Sequence, residues 1–179
     1  LSAGGYVKRL PPNAFQSQKR GGKGLIGSEV AEEDFLSHFM SARTHDNLLF
    51  FTNKGKVYQL KAYEISESQR TSKGTAIVNL LNIEQGEKIE SFVVNKKGQK
   101  NGFVFLTTRK GTVKKSKISE FENIRKSGIA AIKLDKNDEL AWSNFTNAGD
   151  DVLLISRNGK AIRFSESSAR PMGRSTMGV

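Results

Sequence analysis

The sequence predicts an all-β protein made of repeated, propeller-like units of about four strands each. Three observations predict it. A hairpin pattern, apolar strand then polar turn closed by glycine then second strand, recurs at a period near fifty residues. A basic residue, a glycine and an apolar stretch follow each hairpin. An acidic turn and one more apolar strand close the unit.

The complete hairpins run from Leu48 to Leu60, from Phe103 to Lys115 and from Val152 to Phe164, and a truncated copy runs from Gly5 to Leu10. Their turn glycines, Gly5, Gly55, Gly111 and Gly159, step by 50, 56 and 48 residues. β-Branched and aromatic residues suit a pleated, half-buried surface. Lys-Gly or Asn-Gly between such runs supplies the positive φ of a tight turn. The first arm of each hairpin is almost continuously apolar, which predicts a strand covered on both faces. The second arm alternates, which is expected to place Lys56, Lys114, Arg163 and their neighbours on an outward face.

The second element reads Arg20…Gly24, Arg70…Gly74, Arg125…Gly128 and Arg174…Gly178, with glycines 50, 54 and 50 residues apart. The third reads Gly86-Glu87-Lys88-Ile89 and Asn137-Asp138-Glu139-Leu140. Four short strands per repeat of this length is a propeller blade period, against which a single irregular sandwich or barrel is the plainer alternative. The blade boundaries expected are 1–45 (partial), 46–98, 99–148 and 149–179 (truncated). Propellers close with four to eight blades, so this is about half a ring, with strand edges that invite self-association.

Composition narrows the chemistry. Of 179 residues, 29 are Lys or Arg and 18 Asp or Glu, a net charge of +11. The absence of Cys excludes disulfides, thiolate metal sites and thiol catalysis, and two His cannot alone make an ordinary catalytic zinc site. No apolar run approaches the ~18 residues of a membrane span, and the first residues do not read as a secretory signal. The positive charge comes in blocks, over 1–28 and 95–117 with no acid and over 156–179 against only Glu166, which points to a polyanion partner rather than to a mixed solvated surface. An acidic lipid surface fits less well, because no basic amphipathic helix is evident.

Residues Gln18-Lys19-Arg20-Gly21-Gly22-Lys23-Gly24 form a glycine-rich loop in which backbone N–H groups and three cations can approach an anion closely. Arg20 can grip a phosphate with two parallel bonds, and the lysines act as point charges. This segment resembles the GyrA box, Gln-Arg-Arg-Gly-Gly-Lys-Gly, of the DNA gyrase A C-terminal domain family, with Lys19 in place of Arg. Thr44-His45-Asp46, Ile77-Val78-Asn79-Leu80-Leu81, Gly111-Thr112-Val113-Lys114-Lys115, Ala131-Ile132-Lys133-Leu134 and Arg170-Pro171-Met172-Gly173-Arg174 are also similar to that family, so the resemblance covers the chain.

The resemblance implies a β-pinwheel, a six-bladed propeller variant with a strand exchanged between neighbouring blades. It implies that duplex DNA wraps in the positive sense on the outer rim, with the box needed for the wrap. It implies the type II topoisomerase setting: two A and two B subunits, ATP and Mg2+ used elsewhere in the holoenzyme, negative supercoiling, and a cytoplasmic, nucleoid-associated location. No catalytic centre, metal or cofactor is expected in this fragment itself. The alternatives are the equivalent domain of topoisomerase IV, whose box is degenerate or absent, and a propeller that binds other proteins.

The candidate phosphate contacts are Lys19, Arg20 and Lys23 of the box, with Lys8, Arg9, Lys54, Lys56, Arg70, Lys73, Lys110, Lys114, Lys115, Arg125, Lys126, Arg157, Lys160, Arg163, Arg170 and Arg174. Other signals lead nowhere. Gly22-x-Gly24-x-x-Gly27 lacks the strand and βαβ unit of a dinucleotide site. His45-Asp46 has no nucleophile elbow to serve. Tyr6, Tyr58 and Tyr63 have no acidic metal cluster that a cleavage site needs. Trp142 and the phenylalanines read as core.

Overall fold

Leu48-Leu49-Phe50-Phe51 is apolar at four successive positions because the strand it forms lies between two cores. In a computed structural model, which describes residues 1–15, 20–22 and 34–179, these residues lie in β2 (Asn47–Thr52), buried throughout except at its first residue. Leu48 and Phe50 face a core with Tyr58, Leu60, Ile77 and Phe92. Leu49 and Phe51 face the other way, into a core with Val57, Val104, Phe121 and Leu140. Burial of each phenylalanine contributes roughly 1.5–3 kcal/mol.

The other strands are β1 (Tyr6–Val7), β3 (Lys56–Lys61), β4 (Thr75–Ala76), β5 (Ile89–Asn95), β6 (Phe103–Thr108), β7 (Val113–Lys117), β8 (Ile129–Ala130), β9 (Leu140–Thr146), β10 (Asp151–Ile155) and β11 (Ala161–Ser165). Among the described residues these strands all pair antiparallel, in sheets ordered β1-β4, β5-β2-β3-β8, β7-β6-β9 and β10-β11. The three predicted hairpins are β2–β3, β6–β7 and β10–β11. Their tips share one device. Gly55 sits at φ +74°, and its N–H donates to the Thr52 carbonyl at 2.9 Å. Thr52 Oγ1 in turn accepts from the Lys56 N–H. Thr108 and Ser156 act in the same way at the other two tips.

The basic-Gly-apolar segment after each hairpin pairs with the preceding hairpin, which makes the fold a β-pinwheel. Tyr6 faces Ala76 across β1 and β4, and Lys56 faces Ala130 across β3 and β8. Val179 exchanges both backbone bonds with Val113, at 2.8 and 2.9 Å. The glycine of the segment is a close-approach residue. A Cβ on Gly74 would lie 2.6 Å from the Val7 carbonyl oxygen, and Gly74 has φ +87°.

The acidic turns that close the units hold two buried carboxylates. Glu87 is buried and accepts from Tyr58 Oη at 2.7 Å, Thr52 Oγ1 at 3.0 Å and the Glu84 N–H at 2.9 Å. Asp138 is buried and accepts from Thr108 Oγ1 at 2.7 Å and from the Glu139 and Lys110 N–H groups. Burial opposes ionisation of both carboxyls, but these bonds outweigh it and hold them below the usual range. Burial and then the Glu87 carboxylate push the Tyr58 hydroxyl upward, so it stays a donor.

Three expectations are corrected. The second arm β7 does not point outward at Lys114, as described below. Trp142 is not core: it is 56% exposed on β9. The apolar first arm of the third hairpin is not covered on both faces, since Leu153 and Ile155 are exposed along with Ile162 on β11. Among the described residues one sheet reaches four strands, and its outer strand, β8, comes from the segment of a later unit. An exposed apolar hairpin favours association. The average mass by light scattering is therefore expected to rise with concentration, and a constant monomer mass would contradict this.

Candidate nucleic-acid interface

The strand order decides which basic residues share a surface. β5 and β9 pack against each other, with Ser91 Oγ and Ser143 Oγ 2.7 Å apart, so they are inner edges. β8 and the segment ending at Val179 are therefore outer edges. The basic turns precede these outer strands: Arg70 and Lys73 before β4, Arg125 and Lys126 before β8, Arg170 and Arg174 before Val179. Lys73, Arg125, Lys126 and Arg170 are exposed, and Arg70 and Arg174 are half-buried. Consecutive outer segments are tied to each other. The Lys133 N–H donates to the Thr176 carbonyl at 3.0 Å, and the Arg174 guanidinium donates to the Ala130 carbonyl at 2.9 Å. The edge thus brings the basic turns of two successive units, at 125–126 and 170–174, together.

The remaining candidates fall into groups. Lys54, Lys110, Arg157 and Lys160 are exposed at the hairpin tips, where the Lys54 and Lys110 ammonium groups also cap the Gln85 and Lys136 carbonyls. Lys56 is paired with Glu84 at 2.5 Å, Arg9 with Glu67 at 3.3 Å and Arg163 with Asp151. Lys8 donates to the Arg70 and Ser72 carbonyls at 2.5 and 2.7 Å. Of the box, Arg20, Gly21 and Gly22 are exposed, with Gly21 at φ +82°. Gln18, Lys19, Lys23 and Gly24 lie outside the described residues.

Lys114 and Lys115 are a correction. Both are expected on an outward face, yet both are buried. Lys114 Nζ donates to the carbonyls of Ala131, Arg174 and Thr176. Lys115 Nζ is paired with the Glu166 carboxylate, donates to the Glu166 carbonyl, and lies 4.7 Å from the centre of the Phe103 ring. Adjacent strand residues point to opposite faces, so two successive lysines could not both face out. Here the exchanged segment covers one of them and the turn after β11 covers the other.

Burial, then the nearby Arg174 guanidinium, pulls the Lys114 ammonium down to about 8. The unfolded chain keeps the ordinary value near about 10.4. Between the two, the unfolded state binds the extra proton, so stability rises with pH across that window. Denaturant unfolding at about pH 8 and about pH 9.5 is expected to show this rise in the parent chain and not in Lys114→Met. Equal pH dependence in both would contradict it.

Sequence reasoning missed Lys133, exposed beside the third basic turn. It lies in no basic cluster, so only the topology brings it to the rim. The cations Lys96, Lys97, Lys100 and Lys117 are also exposed, but at the end of the sheets opposite the tips, where Asn95 faces Asn47 and Lys117 faces Phe103. Among the described residues no group of three or more His, Asp or Glu could hold a metal, and no helix is long and apolar enough to cross a membrane.

Known proteins share this architecture. A family model, the DNA gyrase C-terminal domain beta-propeller, matches residues 1–43, 46–96, 102–147 and 150–179. The DNA gyrase A protein of Clostridium acetobutylicum is 43% identical over the whole chain, and that of Streptococcus pyogenes is 48% identical over 98% of it. The chain spans about a fifth of these relatives, 22% and 21%. A solved DNA gyrase A C-terminal domain superposes over the whole chain and 57% of its own length, with TM-score 0.78 and 29% identity. A topoisomerase IV C-terminal domain does so over 54% of its length, with TM-score 0.81 and 27% identity. The chain belongs to the DNA gyrase A C-terminal domain family.

Proposed function

We propose that this chain binds duplex DNA along its outer edge and wraps it in the positive sense. It does so as the C-terminal domain of a gyrase A protein, in a cytoplasmic, nucleoid-associated enzyme of two A and two B subunits. ATP and Mg2+ serve the rest of that type II topoisomerase, which introduces negative supercoils. One observation carries the reading: successive outer segments, each with a basic turn, are joined by hydrogen bonds between residues 130–133 and 174–176. A line of exposed cations suits a phosphate backbone, read without regard to sequence. Bending a short duplex by about 40–90° costs on the order of 1–6 kcal/mol, so several such turns must act together.

The exposed candidates Arg20, Lys73, Arg125, Lys126, Arg170, Lys54, Lys110, Arg157 and Lys160, with Lys133, form the contact set. Identity to gyrase relatives and the near-complete box favour gyrase over topoisomerase IV, whose solved domain has the same shape. The test is the linking number of nicked circular DNA ligated with the chain bound. Positive supercoils are expected, and their loss on Lys19/Arg20/Lys23→Ala. No topological change with the parent chain would overturn the wrapping reading.

A further inference from the structure

Two lysines that never reach the rim have a common place beneath it. Lys8 and Lys114 each stand three residues after a tip glycine, Gly5 and Gly111. Each points its ammonium under the basic turn of the segment exchanged onto its hairpin. Lys8 takes the carbonyls of Arg70 and Ser72; Lys114 takes those of Arg174 and Thr176, and of Ala131. The two turns match atom for atom: the carbonyls lie four and two residues before Gly74 and Gly178. The unit between them does without the device. There Tyr58 holds the equivalent place, its ring lies under Gly128, where a Cβ would be 2.8 Å away, and its hydroxyl goes to Glu87.

An ammonium has three donors and no acceptor, so it can gather several carbonyls at one point. A charge withdrawn from water needs such bonds to compensate its lost solvation. With its carbonyls drawn inward, a turn has a fixed backbone, and its side chains leave from fixed positions. We propose that Lys8 and Lys114 are positioning residues for DNA contact: each clamps the backbone of an exchanged basic turn, so that its exposed cation, Lys73 or Arg170, is presented on the rim. This rests on the rim being the DNA surface, and the test separates the two.

The experiment uses Lys8→Met, with Lys114→Met as the second variant should one fail to fold, and a linear duplex as probe. Without DNA, amide exchange over residues 70–74 is expected to quicken at least about tenfold in Lys8→Met, and over 174–178 in Lys114→Met, while β2 stays protected. With DNA, the slope of log K on log salt is expected to fall by about 1, for the single exposed cation, Lys73 or Arg170, of the freed turn. In an Arg70→Ala/Lys73→Ala background, adding Lys8→Met should change the slope no further, because the clamp acts only through that turn. Unchanged exchange, or a full further loss in that background, overturns the clamp. Failure of the parent chain to bind duplex overturns the rim reading instead, and with it the DNA role of the clamp, while the exchange result still decides the clamp itself.

Discussion

Glu166→Gln is expected to destabilise the chain by about 3–5 kcal/mol, the cost of leaving a buried charge without its partner. Glu166 and Lys115 both have side chains only 4% exposed, and the Lys115 ammonium also donates to the Glu166 backbone carbonyl at 2.9 Å. Glu166 begins the 3-10 turn Glu166–Ser168 that follows β11, and Lys115 lies in β7, so the pair fastens the third hairpin to the second. Replacing both partners with apolar residues of similar size, as in Lys115→Met/Glu166→Leu, is expected to recover most of the loss, because no charge then remains buried. Denaturant midpoints of the parent and both variants check this. A Glu166→Gln midpoint equal to the parent's would show that the pair is solvated and contributes as little as a surface ion pair.

Such inward charges mark where the sequence stopped being legible. The hairpins and their period could be read because local chemistry sets them: Lys54-Gly55 dictates a tight turn, and Leu48 to Phe51 dictates a strand covered on both faces. The exchange of outer strands came only from the family resemblance, since Thr75 and Ala76 pair with Val7 and Tyr6 of another unit and no local pattern records that. The rim candidates were found by charge alone, which does not distinguish Lys126, exposed, from Lys114, held under a neighbouring segment. Trp142 and Leu153 went astray for the converse reason: apolar character says that a residue can be buried, not that a neighbour is there to bury it. Lys133 needed the topology, because its isolation in sequence hides its place beside Thr176.

The second large effect is on DNA. Replacing Lys73, Arg125, Lys126, Lys133 and Arg170 together with alanine is expected to weaken duplex binding by about 10³-fold or more near about 0.1 M salt, and to flatten the slope of log K on log salt by about 4 to 5. With the ten cations of the contact set on one phosphate each, that slope starts at about −9, and the five that remain keep about half of it. All five side chains are exposed, so the fold should survive, and melting curves verify it. The matched control removes Lys96, Lys97, Lys100 and Lys117 at the opposite end of the sheets. It subtracts nearly as much charge and should cost less than about tenfold, since charges beyond a Debye length of about 10 Å are screened. Equal losses in both variants would mean that net charge binds the DNA and that the rim has no special part.

The most direct test of the account is lysine acetylation read residue by residue, with and without saturating duplex. Lys73, Lys126 and Lys133 are expected to react in the free chain and to be shielded by DNA. Lys96, Lys97, Lys100 and Lys117 should react in both states, and Lys114 and Lys115 in neither. Shielding of the group Lys96, Lys97, Lys100 and Lys117 with the rim lysines left reactive would place the DNA elsewhere and contradict the account.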